Sequence, residues 1–313
     1  MKPVLITGYV SPDIDAVAGT IAYSEYLNKM GEITTVGIIG APHDEAKYIL
    51  DRFNISYPKQ IDNTDNFQKV ILVDSSELSG LDGKVNPEKV IEIIDHRKIN
   101  EADKFPNAKV QIELVGSAST LIAEKFIENN IEISKESAIL LCGAIISNTL
   151  NFKGGVTTDR DRIAYEYLNK IAELPANFAR ELFEAKSDIA GSKLKERIVS
   201  DMAWFPIANK KVSILQLEIV NSKHLIENRV DDIVEIIQGF KRERDFGLIF
   251  LNIIELEECK NYFIAIDDET KKVIEKVLDV KFKGFVAERP NLIMRKQIVP
   301  LLKEELEKYN EQI

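Results

Sequence analysis

A chain of 313 residues is long enough for two domains at about 150 residues each, and an apolar share of 45% can build a core in both. The formal net charge of −10 speaks against a nucleic-acid partner, which calls for a basic stripe, but it leaves room for a phosphate ligand wherever local cations reverse the potential. Cys142 and Cys259 lie far apart and are expected to be buried free thiols. The opening MKPVLITGYV lacks the basic–apolar–small series of a secretion signal, and no run approaches the roughly 18 apolar residues of a membrane helix. A cytoplasmic protein without a membrane partner is expected.

Apolar, β-rich runs at residues 4–6, 35–39, 70–73, 90–94 and 110–114 predict strands, with helical patterns at 16–30 and 44–53 between them and at 119–129 and 135–146 after them. Such alternation predicts an α/β fold, a parallel sheet with helices on both faces. The polar stretch EAKSDIAGSKLK at 184–195 reads as a linker and hinge. Beyond it, strands at 211–220, 247–254 and 262–266 and helices at 230–240, 269–278 and 298–309 predict a smaller α/β domain. The boundaries are set at 1–187, 188–196 and 197–313.

Open α/β sheets bind ligands beyond the carboxyl ends of their strands, and the sequence puts acid there three times. The first strand leads into Ser11-Pro12-Asp13-Ile14-Asp15, a later one ends in Asp74, and the next in Asp95-His96-Arg97. Ser11 suits a helix N-cap and Pro12 the first helical position, which would put Asp13 and Asp15 in the first turn. Each acid alone could be only a cap. Three such ends on one rim would repel one another, and hard cations are the usual remedy. Of the three histidines, His96 follows a strand, whereas His43 and His224 have polar neighbours and are expected at the surface. Gly154-Gly155 reads as a turn and Trp204 as a packing residue.

The motifs PDIDA, VD and DHR, in that order, resemble those of the DHH phosphoesterase superfamily, with DHR in place of DHH as in its prune-like members. The later stretches IISNTLNFKGGVTTDRDR, AKSD, DMAWF, KKVSILQLEI and RKQIVPLL resemble the family II, manganese-dependent inorganic pyrophosphatases. The resemblance spans nearly the whole chain. It implies a DHH domain followed by a DHH-associated substrate-binding domain, and one or two divalent ions, Mn2+ or Mg2+. Asp13 and Asp74 would hold one ion, and Asp15, Asp74 and His96 the other, with Asp95 orienting the histidine. Asp74 and Arg97 would serve catalysis, and Arg97, Arg295 and Lys296 would bind the phosphate compound.

The same comparison marks departures. Tyr9 stands where the family has a metal-binding histidine, Asn148 where it has a ligand aspartate, and Ala203 where it has a lysine. Asn148 could still coordinate through its amide oxygen. The C-terminal SRK-like motif reads as Ile293-Met294-Arg295 without a gap, or keeps Arg295 and Lys296 with one deletion. The expected function is metal-dependent hydrolysis of a phosphoanhydride or phosphoester. The alternative is a catalytically impaired relative that binds a phosphate ligand or a protein partner. A nuclease is disfavoured by the charge and by the lack of a GGH-like signature, and pairing of two copies through an edge strand of the first domain is implied by resemblance alone.

Overall fold

The computed structural model describes residues 2–310. It divides into two compact units, the first ending at Ala185 and the second beginning at Lys186.

The first unit runs β1 (Val4–Thr7), α1 (Ile14–Lys29), β2 (Thr34–Ile39), α2 (Asp44–Arg52), β3 (Lys59–Ile61), β4 (Val70–Val73), α3 (Leu78–Leu81), β5 (Val90–Asp95), β6 (Lys109–Ile112), α4 (Ala118–Glu128), α5 (Lys135–Thr149), α6 (Asp159–Ala172) and α7 (Phe178–Lys186). Its strands form a six-stranded sheet in the order β3-β2-β1-β4-β5-β6, and every pairing is parallel. A parallel sheet needs cover on both faces. Helices α1 and α4 pack against the strands on one side, with α5 behind α1. On the other, Leu5, Leu72 and Ile93 pack with Leu81 of α3, Val85 and Phe105. The chain progresses outward from β1 in one direction through β2 and β3 and in the other through β4, β5 and β6. That reversal opens a crevice at the carboxyl ends of β1 and β4, where open sheets place their ligands.

The second unit comprises α8 (Lys193–Ser200), β7 (Met202–Ile207), β8 (Lys210–Ile219), α9 (Ser222–Arg244), β9 (Leu248–Glu255), β10 (Lys260–Ala265), α10 (Asp268–Leu278), β11 (Phe282–Lys283), β12 (Val286–Pro290) and α11 (Arg295–Asn310). Its sheet is mixed: β8 and β9 are parallel, and the remaining neighbours antiparallel. Alternate strand residues feed two cores. Ile249 and Leu251 pack with Leu194, Ile198, Ile233 and Ile237, while Leu248 and Phe250 pack with Ile274, Ile298 and Leu302.

Three expectations are corrected. Half of the presumed linker is helical: Leu194 and Ile198, one turn apart on α8, are fully buried, a pair too sparse to signal a helix among polar neighbours. The segment before α8 is tied down by Arg229, whose guanidinium donates to the carbonyls of Ile189 and Gly191. Trp204 is 51% exposed on the edge strand β7, with Lys211 Nζ 5.0 Å from its ring centre, so it is not a core residue. Cys142 is buried, but Cys259 is partly exposed.

Candidate metal centre

The end of β1 does not enter α1 as the sequence suggests. Ser11 takes a left-handed conformation, φ 56°, and donates its amide to Ile39 O, so it cannot cap the helix. The cap is Asp13, whose Oδ1 accepts from Asp15 N at 2.9 Å and Ala16 N at 3.1 Å, satisfying two of the amides a helix start leaves open. The Tyr9 hydroxyl accepts in turn from Asp13 N at 3.0 Å.

Two residues on, Asp15 is fully buried and gathers five donors. Ser117 Oγ, Ser119 N and Ser119 Oγ reach Oδ1 at 2.8, 2.9 and 2.6 Å; Ala118 N and Asn148 Nδ2 reach Oδ2 at 2.8 and 2.6 Å. Asn148, expected among the ligands, is instead a donor to one: its amide nitrogen faces Asp15.

Asp74 follows β4 with φ 54°, a left-handed conformation that aspartate tolerates better than most non-glycine residues. Its side chain is 1% exposed, yet neither carboxyl oxygen accepts a hydrogen bond. His96 Nε2 lies 3.4 Å from Asp74 Oδ1 and 3.8 Å from Asp15 Oδ2. The other ring nitrogen, Nδ1, sits 3.0 Å from Val115 O. A carbonyl can only accept, so Nδ1 carries a proton, and Nε2 faces the two acids, where it would have to give up any proton of its own to ligate a cation.

Asp95 orients this end of β5. Its Oδ1 accepts from His96 N at 2.7 Å, and its Oδ2 accepts from Ser76 Oγ and faces Arg97 Nη1 at 3.4 Å. Arg97 Nη1 also donates to Asp74 O at 2.8 Å, Nη2 stands 3.4 Å from Asp74 Oδ1, and the guanidinium lies over the Tyr9 ring at 5.4 Å.

Burial, which the Arg97 charge only partly offsets, pushes the Asp74 carboxyl up to about 7, helped by Asp13 and Asp15. Burial also raises Asp15, against the pull of His96. For His96 burial opposes the charged form, but Asp74 and Asp15 outweigh it and lift the ring to about 9. Burial holds the Tyr9 hydroxyl well above the usual tyrosine range.

A carboxylate buried without a hydrogen-bond partner is costly for a fold to hold, and the His96 and Arg97 groups, each 3.4 Å from Asp74 Oδ1, offset only part of that cost. Asp15, Asp74 and His96 each offer a ligand atom, and these atoms lie within 4.8 Å of one another. Two carboxylates and an imidazole at that spacing suit a manganese-like divalent cation. Of the five residues expected as ligands, the fold thus brings three together, commits Asp13 Oδ1 to the α1 cap, and turns the Asn148 amide nitrogen onto Asp15. Ser76, Ser117 and Ser119 carry no local signal for these contacts, because their partners lie 19, 102 and 104 positions away.

In the second unit Arg295 opens α11 and is held by Asp201: Nη1 donates to Asp201 O at 2.7 Å and Nη2 to Asp201 Oδ1 at 2.5 Å, while Gln216 Oε1 accepts its amide. Lys296, beside it, is exposed. His43 is partly exposed and His224 exposed. Gly154 closes a turn, its amide on Thr149 O at 2.8 Å.

Comparison with known proteins places the DHH family, N-terminal domain, on residues 3–145 and the DHHA2 domain on residues 180–305. The chain is 31% identical to the manganese-dependent inorganic pyrophosphatase of Bacillus subtilis, over 96% of this chain and 98% of that protein. It is 29% identical to that of Methanothrix thermoacetophila, over 97% and 99%. A Clostridium acetobutylicum protein assigned to the same enzymes is 31% identical over 97% and 98%. Among solved structures, a Methanococcus jannaschii protein assigned to the family II inorganic pyrophosphatases superposes with a TM-score of 0.80 at 28% identity, covering 97% of this chain and 99% of that one.

Proposed function

The chain belongs to the manganese-dependent inorganic pyrophosphatase family, built from a DHH and a DHHA2 domain, and from that premise we propose that it hydrolyses the phosphoanhydride bond of pyrophosphate at the rim of the first unit's sheet. The observation that carries this reading is the Asp74 carboxyl, buried without a hydrogen-bond partner beside Asp15 and His96.

Asp15, Asp74 and His96 would hold a divalent cation, Mn2+ or Mg2+. Such a cation supplies Lewis-acid polarisation of phosphoryl oxygens and acidifies water. Asp95 fixes the backbone of His96, Val115 O fixes the ring orientation, and the serines around Asp15 hold its carboxyl in one orientation, so the side chains are largely placed before the site is loaded.

Arg97 is the group proposed to meet the phosphate compound. Its guanidinium keeps its charge throughout any accessible pH and is anchored on one edge by Asp74 O and Asp95. Planar donors of this kind match phosphoryl oxygens better than a point charge does. Arg295 and Lys296 are the residues proposed to contact phosphate in the second unit, Arg295 after exchanging its Asp201 contact. The edge strand β6, followed by Leu114 at 63% exposure, supports pairing of two copies. Among the described residues no helix is long and apolar enough to cross a membrane.

Phosphate release from pyrophosphate, with Mn2+ or Mg2+, tests the reading against an Asp74→Ala control. Turnover lost in the variant supports it. Native protein that binds Mn2+ yet turns over no faster than the variant would point to the binding-only relative instead.

A further inference from the structure

Asp161 stands outside the metal centre and is completely buried. It lies on the first turn of α6, and its carboxyl is surrounded by donors. Oδ1 accepts from Gly116 N at 3.0 Å and Thr120 Oγ1 at 2.6 Å. Oδ2 accepts from Gly116 N at 2.9 Å and from Thr158 N and Oγ1 at 2.7 and 2.8 Å. The Thr158 contacts are a capping box, which any helix start could use. The Gly116 and Thr120 contacts are not: they reach about 40 residues back, to the segment that leads into α4.

That segment contacts two of the three candidate ligands. Val115 O holds Nδ1 of His96, and Ser117, Ala118 and Ser119 supply four of the five donors on Asp15. Gly116 lies between the two groups, and its amide is the one Asp161 grips with both oxygens. There is no slack around it: a Cβ at Gly116 would come within 2.5 Å of Thr149 Cγ2 and 2.9 Å of Asp161 Oδ2.

We propose that Asp161 is a positioning residue for the cation site, fixing residues 115–119 so that the His96 ring and the Asp15 carboxyl face one another; this rests on the cation-binding reading above. The inference follows from the count of partners. Five donor contacts surround Asp161, three of them from backbone N–H groups that cannot accept, so an amide in its place can turn its NH2 only onto a threonine hydroxyl and gives up at least one Gly116 N–H contact. The segment would then shift, and with it the Val115 carbonyl and the serine donors. Outer partners of metal ligands typically contribute about 10–100-fold to affinity.

The test is Mn2+ titration calorimetry on the full chain, with melting measured in EDTA alongside. Asp161→Asn is expected to weaken Mn2+ binding by about 10–100-fold. Thr158→Val, which removes the capping hydroxyl and leaves the Gly116–Asp161 contacts, is expected to lower the melting temperature while leaving Mn2+ affinity unchanged. A purely structural Asp161 would lower melting in both variants and affinity in neither, and that result overturns the proposal. Should Asp161→Asn not fold, Gly116→Ala displaces the same segment, and unchanged affinity there overturns it equally. Native chain that takes up no Mn2+ sinks the proposed function together with this inference, whereas tight native binding matched by Asp161→Asn sinks this inference alone.

Discussion

Asn148 places its amide nitrogen 2.6 Å from Oδ2 of Asp15, so the last full turn of α5 neutralises part of a buried carboxylate. Asn148→Asp would set two carboxyl groups at hydrogen-bond distance, where they must share a proton or take a cation. The variant is expected to melt lower than the native chain in EDTA and to gain more from Mn2+, with an affinity at least about tenfold higher (~1.4 kcal/mol). Melting curves with and without Mn2+ check it. Equal Mn2+ stabilisation of the two proteins would remove Asn148 from any part in the site.

Asp74 gives a second expectation of opposite sign for stability and function. Its buried carboxyl oxygens lack hydrogen-bond partners, and a buried unsatisfied group costs about 1–3 kcal/mol. Asp74→Asn is therefore expected to stabilise the protein in EDTA by about that amount while abolishing Mn2+ binding and phosphate release. Urea unfolding in EDTA measures the first and calorimetry the second. A destabilised variant would mean that Arg97 and His96 already compensate the charge.

Glu25 carries the pH dependence of the α1–α5 junction. Burial pushes its carboxyl up, but hydrogen bonds from Ser134, Ser137 and Lys29 outweigh this and hold it below the usual glutamate value. A depressed carboxyl contributes stability that is fully present above its unfolded value and is lost as pH falls through its folded one. Glu25→Gln is expected to lower the melting temperature at pH 7, by about 1 kcal/mol in stability, and the difference should shrink toward nothing in acid. A constant difference from neutral pH to acid would exclude this charge as the cause.

Gly19 sits where α1 crosses β4. A Cβ there would meet Val73 Cγ1 at 2.5 Å and Ile122 Cδ1 at 3.0 Å, and Val73 directly precedes Asp74. Alanine gains about 1 kcal/mol in helix preference, while overpacking costs about 1–3 kcal/mol, so Gly19→Ala is expected to be neutral to destabilising. The Gly19→Ala, Val73→Ala pair should recover part of the loss through coupling of about 0.5 kcal/mol or more, read from a double-mutant cycle in urea. Strict additivity would show that the strand yields instead.

The parallel sheet and its acidic rim were legible because both are local signals. Val70–Val73 is a fully buried run ending in an acid, and Asp95-His96-Arg97 repeats that pattern one strand over. The details that set each residue's role were not local. Ser11 has the chemistry of a cap, but its left-handed backbone hands that task to Asp13. Asn148 could be a ligand or a donor, and only its position against Asp15 decides. The serines at 117 and 119 read as an ordinary α4 start, since nothing near them announces a carboxylate over 100 residues earlier. In the second unit the alternation of β7 was hidden by Trp204 and Pro206, which face outward on an edge strand.

The central claim is that Asp15, Asp74 and His96 together hold a divalent cation. Anomalous diffraction at the manganese edge from Mn2+-soaked crystals tests it most directly. The account expects a peak about 2.0–2.6 Å from the Asp15 and Asp74 carboxyl groups, on the Nε2 side of His96. Manganese bound elsewhere, or no peak at this rim, would contradict it.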